Sequence, residues 1–344
     1  DSDSSGAGAR LDVGGGTVTL EATNQATSKV VAQANVKNGS SGDPGTVGVG
    51  ASVGVNVAVN TTRAEAEDDS TLTNVGALDM DALSVYTQTT EVTGGAAGSK
   101  VSITPVAAVA IAVNATTARL GESADTLDLS GNLNLDANQK NSVTTKATGQ
   151  AEGDVAVGAS LAAAVVVDRV SVGLERDVSA DGWVAIAAKS DTSLTTSAKA
   201  GAKGTAPVKK DAATGEEKPD AGTTVDEQKT AQLDFAKGTN KAATDVDVKT
   251  DTPKAETPDV NTKTPVSTTK PTETTATTKD QQGKKVSVAA AIGVSVAYNE
   301  AIADIGSSRT VKAGADKKVS VDAQTDTNYA TLASGEAVSD NVGV

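Results

Sequence analysis

The residues of this 344-residue chain that could do chemistry are carboxylates, one tryptophan, and an asparagine that recurs at a fixed spacing. Glu65, Glu67, Asp68 and Asp69 crowd one short stretch, and Asp79 and Asp81 sit two apart. Hard cations take oxygen ligands from spaced carboxylates, so calcium is the one cofactor these clusters invite. The chain carries neither a G-G-x-G-x-D nonapeptide nor a spaced EF-hand loop, and the expectation is solvated charge with no bound cofactor. Carboxylate pairs that hydrolyse glycosides need a pocket, usually walled by aromatics that stack on sugar. One Trp, three Tyr and one Phe are too few to build it. Trp183, in the stretch Asp181-Gly182-Trp183-Val184, is expected as a turn residue and is a candidate partner contact.

The missing residue types exclude more. Without His or Cys there is no Ser-His-Asp triad, no cysteine nucleophile, no haem or iron–sulfur ligation, no ordinary zinc site and no disulfide. Lys and Arg total 30 against 44 Asp and Glu, a net charge of −14 that argues against a nucleic-acid partner. No run of about 18 apolar residues predicts a membrane span. No residue is assigned a catalytic role, and the chain is expected to be non-enzymatic.

The elements that must position these residues repeat. Four 14-residue runs alternate Val, Ala and Gly and close on Asn or Asp: Val47–Asn60, Val101–Asn114, Val155–Asp168 and Val286–Asn299. Their closing residues are spaced 114 − 60 = 54, 168 − 114 = 54 and 299 − 168 = 131, the last being one repeat plus 131 − 54 = 77 residues. Each run is followed by a second alternating element, starting at Leu78, Leu133, Val184 and Val319, and a fifth copy starts at Val18. An alternation of period two means β-strand, since successive side chains point to opposite faces. In the last run one face carries Val286, Val288, Ala290, Ile292, Val294, Val296 and Tyr298, and the other carries Ala, Ser and Gly. That pattern predicts a sheet covered on both sides, thickly over the branched face and tightly over the small one. The 38% hydrophobic fraction is mostly Ala and Val, which fill thin layers and not a thick core. One repeat cannot bury a face alone, so stacking is required.

The recurring Asn60, Asn114 and Asn299, with Asp168 as the variant, are expected at turns, where Asn and Asp tolerate left-handed backbone, or in a hydrogen-bonded ladder from coil to coil. The chain opens in a second element and ends on Val342-Gly343-Val344, where another run would start. A longer parent array, or subunits that complete one another head to tail, would both give such ends, since long free strand edges invite addition of another chain.

Residues 205–283 break the pattern with six of the eight prolines, many Thr, and alternating Lys, Asp and Glu. Such a composition predicts a solvated loop. Leu233 and the sole Phe, Phe235, are its large apolar residues and are candidate partner contacts.

The unit Val53–Asn60 with Thr61-Thr62, repeated at Val106–Asn114 with Thr116-Thr117 and at Val288–Asn299 with Ile305-Gly306, resembles the repeats of leukotoxin-like filamentous adhesins, large surface and secreted proteins of Gram-negative bacteria. The resemblance covers residues 9–204 and 284–344. It implies export to the cell exterior or bacterial cell surface, a β-solenoid stalk, and no catalytic residues. The third copy departs from it, with Asp168-Arg169-Val170 in place of Asn-Thr-Thr.

The expected fold is therefore all-β: an elongated β-solenoid, parallel β-helix-like, built from repeats of about 54 residues with one Thr/Pro/Lys-rich insert. Its divisions are a partial first repeat and loop at 1–46, repeats at 47–100, 101–154 and 155–204, the insert at 205–283, and a last repeat at 284–344. Whether a repeat is one wide coil or two smaller ones is open at this level. The expected function is structural: a stalk or filament-forming segment for adhesion, with self-assembly, other cells or surface glycans as partners. The alternative is an extracellular module that binds a carbohydrate or protein through the insert or a solenoid face.

Overall fold

A computed structural model describes residues 9–34, 47–98, 100–204, 209–210, 217–218, 285–339 and 342–344. In chain order its strands are β1 (Arg10–Asp12), β2 (Thr17–Ala34), β3 (Val47–Val49), β4 (Ser52–Ala66), β5 (Thr71–Thr73), β6 (Ala77–Ala97), β7 (Val101–Leu120), β8 (Leu127–Leu129) and β9 (Leu133–Glu152). They continue as β10 (Val155–Leu174), β11 (Val178–Ala180), β12 (Val184–Lys203), β13 (Lys209–Lys210), β14 (Glu217–Lys218), β15 (Val286–Ile305), β16 (Val311–Lys312), β17 (Val319–Val338) and β18 (Val342–Gly343). No helix occurs among the described residues, and so none is long and apolar enough to cross a membrane.

The fold is an all-β parallel solenoid. One long sheet, the run sheet, has the order β18-β15-β10-β7-β3, with β4 also on β7; the facing return sheet has the order β17-β12-β9-β6-β2. Short strands β8, β11 and β16 form a third side. Each coil runs out along the first sheet, turns through a short strand, and comes back along the second. A repeat is thus one wide coil. The pairing is in register residue for residue: Asn60 lies beside Asn114, Asn114 beside Asp168, and Asp168 beside Asn299. The insert does not disturb this ladder, because all twenty residues of β10 pair with those of β15. β13 and β14, an antiparallel pair, are the part of the insert that is described; Leu233 and Phe235 lie outside the described residues.

The long strands extend beyond the alternating runs. β7 and β10 continue to Leu120 and Leu174, past the Asn or Asp that closes each run. The sequence loses its simple alternation there because outward positions become Arg, Glu and Thr, yet inward Ala118, Leu120, Val170, Val172 and Leu174 stay buried. The Thr-rich tails of the return strands also continue in register, with Thr90, Thr145 and Thr196 buried in one row.

The two faces of the run sheet are disposed differently from the expected double covering. The small face turns inward: Ala108, Ala110, Ala162 and Ala164 are fully buried against the return sheet. The branched face turns outward, leaving Val53, Val55, Val57 and Val59 more than half exposed. The physical reason is the closeness of the two sheets. A Cβ built on Gly158 would come within 2.3 Å of the Gly201 carbonyl oxygen, so the sheets meet there with no room for a side chain at that position. The lumen widens toward the third side, where Leu78, Met80, Leu120, Leu133, Leu135, Leu174 and Ile186 form the main apolar cluster with Leu127, Leu129 and Val178 of the short strands. Burying each such side chain contributes roughly 1.5–3 kcal/mol, and this cluster contains no aromatic.

Candidate functional site

Between the narrow and wide parts of the lumen lies a polar belt, and the recurring asparagines are in it. Asn60, Asn114, Asp168 and Asn299 sit within strands with their side chains directed inward, not at turns. Their two-residue phase places them on the same face as the buried alanines. Asn60 Nδ2 donates to Asn114 Oδ1 at 2.8 Å, and Asn114 Nδ2 donates to Asp168 Oδ1 at 2.7 Å. From the facing sheet Asn141 Nδ2 donates to both Asp168 oxygens at 3.0 Å, and the Thr192 hydroxyl donates to Oδ2. Asn299 takes different partners, donating to the Thr327 hydroxyl at 2.9 Å and to the Asp326 carbonyl. Beside them the Ser84 and Thr116 hydroxyls bond at 2.6 Å, and Thr116 donates to Gln139 Oε1.

Asp168 is the chemically distinctive member. It is fully buried, and burial pushes its pKa above the ordinary carboxylate value, opposed by the hydrogen bonds from Thr192, Asn114 and Asn141. The carboxylate is closed off from solvent and its hydrogen bonds come from neutral groups. It ties two sheets and two coils together.

The acidic stretch singled out for calcium is claimed by a cation of the chain itself. Arg119 Nη1 donates to Glu65 at 2.8 Å, Nη2 to Glu175 at 2.6 Å, and Nη2 also to Asp68. One guanidinium thereby bridges carboxylates from the coils on either side of its own, and the same contacts raise its own pKa. Asp68 is held below the usual carboxylate range, chiefly by the Glu122 backbone N–H. Glu67 and Asp69 are exposed, and Asp69 has a φ of 58° at the turn. Among the described residues no group of three or more carboxylates is arranged to hold a metal ion.

Asp79 and Asp81 lie on the outer face of β6. Asp81 stands in register between Glu21 and Asp136, forming a stack of three carboxylates on successive coils. Burial raises the Asp136 pKa to about 6, with the Asp81 charge adding to the rise. Asp81 is raised by burial and by Asp79 and Glu21. Asp81 and Asp136 therefore hold protons more tightly than isolated carboxylates do.

Trp183 occupies the corner between β11 and β12, 37% exposed, with its backbone N–H donating to Asn132 Oδ1 at 3.1 Å. A cleft of about 290 Å³ opens between β2, β4 and β6, lined by Ser28, Val57, Asn60, Tyr86, Gln88 and Asn141. Trp183 and this cleft are on different parts of the coil, and the structure does not bring them together. Arg119 and Arg176 were not marked by the sequence pattern. Arg176 is fully buried, donating to the carbonyls of Gly121 and Ser70 at 2.7 Å and to the Ser70 hydroxyl. The signal available was an arginine two residues past Leu174, at the point where Glu122 stands two past Leu120 in the previous coil.

Comparison with protein-family models, with curated proteins and with solved structures found no match.

Proposed function

We propose that this chain is a non-enzymatic structural segment of a bacterial surface adhesin, an extracellular stalk or filament-forming piece whose coils extend by edge-to-edge addition. The observation that carries the reading is the uninterrupted register, in which β10 and β15 pair over their full length across the insert. A fold selected to continue one coil after another serves length and stiffness. The polar groups inside it, Asp168 above all, serve cohesion between coils and not turnover. The resemblance to filamentous adhesin repeats gives the same direction.

The test is electron microscopy of the purified chain over a concentration series, with diffraction from aligned samples. Particles that join along the coil axis, with a meridional spacing of about 4.8 Å, are the expected result. Discrete round particles at every concentration would overturn the reading.

A further inference from the structure

The outward face of the run sheet has a property the stalk reading does not use. Counting β3 with β4 as one strand, seven outward positions on each of β4, β7, β10 and β15, from Val47, Val101, Val155 and Val286 to Val59, Val113, Val167 and Tyr298, are all apolar. The Tyr298 hydroxyl is the one polar side-chain group in the block. The residues stack in straight rows across coils, such as Val57–Ile111–Val165–Val296. Charge begins only beyond the block, at Arg63, Arg119, Arg169 and Glu300. The block measures about 40 Å along the strands and about 20 Å across them, roughly 800 Å². Monomeric proteins rarely expose a contiguous apolar patch of that size. One partner in a standard stable interface buries about the same area.

We propose that this face binds the same face of a second copy, forming a lateral two-fold dimer with the apolar rows interdigitated. Three features select a second copy. The area matches what a stable dimer needs. The face has no charge and almost no polar handle, so it discriminates in favour of an equally dry, flat surface, and among the described residues the chain presents such a surface only here. Branched rows at the coil spacing are complementary to themselves, as in sheet-on-sheet packing and dry zipper interfaces. Residues 205–283 are a poor cover, since Leu233 and Phe235 are their large apolar residues and Thr, Lys, Asp and Pro dominate. The charged fringe at one end of the strands stays in water in either orientation of the pair. The inference rests on the fold and not on the stalk reading, because face pairing leaves the strand edges free.

Sedimentation velocity of the full chain from submicromolar to 100 µM, beside the double variant Val57→Lys/Val296→Lys, tests it. Both positions are exposed in the single chain, at 59% and 51%, so the variant keeps its fold, checked by circular dichroism. The wild type should dimerise, and the variant should do so about 100-fold or more weakly, because it leaves lysines buried and unpaired. The chain has no cysteine, so Val165→Cys with a short bis-maleimide should cross-link to itself, and Thr144→Cys on the opposite sheet should not. A monomer at 100 µM would overturn the proposal. Association that survives the lysines, or cross-linking only through Thr144→Cys, would do so too and would point to edge joining. Flotation of a monomeric wild type with phosphatidylcholine vesicles would overturn it in favour of a lipid surface.

Discussion

The two long sheets of the solenoid are built on one alternation but present opposite surfaces to the outside. The return strands β6, β9 and β12 bury Leu78, Leu133, Leu135, Ile186 and Leu194 and put Asp, Asn, Lys, Ser and Thr outward. The run strands bury mostly Ala, Ser and Gly in the narrow part of the lumen, bury Leu120, Val170, Val172 and Leu174 in the wide part, and turn Val, Ile and Leu outward along the alternating runs. Hydrophobicity alone would have placed the branched residues inside. Spacing decides instead: where the sheets approach closely the inward positions of the run strands are mostly small, and the few larger side chains buried there, such as Val106, Val166 and Leu194, pack against alanines. The return sheet is the water-facing side of the coil, and the run sheet carries its dry surface.

The comparison can be broken by exchanging side chains between the two regimes. Leu135→Ala, in the wide part of the lumen, should cost about 2–5 kcal/mol in urea denaturation through lost burial and a residual cavity. A comparable truncation on the outward face, Val57→Ala, should cost less than about 0.5 kcal/mol in samples too dilute to associate. Similar losses at the two sites would mean that the branched face is covered within a single chain.

A smaller effect should come from filling the narrow lumen. Ala164→Leu adds volume at a fully buried position between two sheets and should destabilise by about 1–3 kcal/mol. A stabilising outcome would show that the sheets stand farther apart than the Gly158–Gly201 approach indicates.

The smallest effect is electrostatic and belongs to the polar face of the return sheet. Asp136 has a pKa of about 6 in the fold against an ordinary 3.8, so the folded state binds the proton more tightly. The stability this gives is full below about pH 4 and is lost as pH rises through about 6. Asp168 and Asp81, also raised, act in the same direction. The urea midpoint should therefore be higher at pH 5 than at pH 8, and Asp136→Asn should remove part of that difference, on the order of 1 kcal/mol after solvent screening. A midpoint that rises toward pH 8 would contradict the stacking of Glu21, Asp81 and Asp136.

The strands, the 54-residue period and the coil-to-coil pairing were legible because they rest on alternation and on distances along the chain, and both are sequence quantities. The sidedness of the run sheet was not, because period two fixes which residues share a face but not which face the neighbouring sheet covers. Strand length was misjudged where outward Arg119 and Glu65 and inward Thr145 and Thr196 hide the pattern behind polar residues. The short third side was invisible at three residues per strand. The asparagine ladder was half legible: its spacing is plain in the chain, but its inward, mid-strand position follows only once the strand is known to run on to Leu120 and Leu174. Arg119 could not be matched to Glu65, Asp68 and Glu175 in advance, since the match depends on three coils being stacked in register.

The central claim is that the branched side of each run faces out and the small side faces in. In a chain without cysteine it is tested most directly by the alkylation rates of two single variants, Leu161→Cys and Ala162→Cys, at high dilution. Leu161 is on the exposed face and Ala162, one residue on, is fully buried. The account predicts that the first thiol reacts nearly as fast as in urea and the second only when the protein unfolds. Equal rates, or protection of the first and not the second, would contradict it.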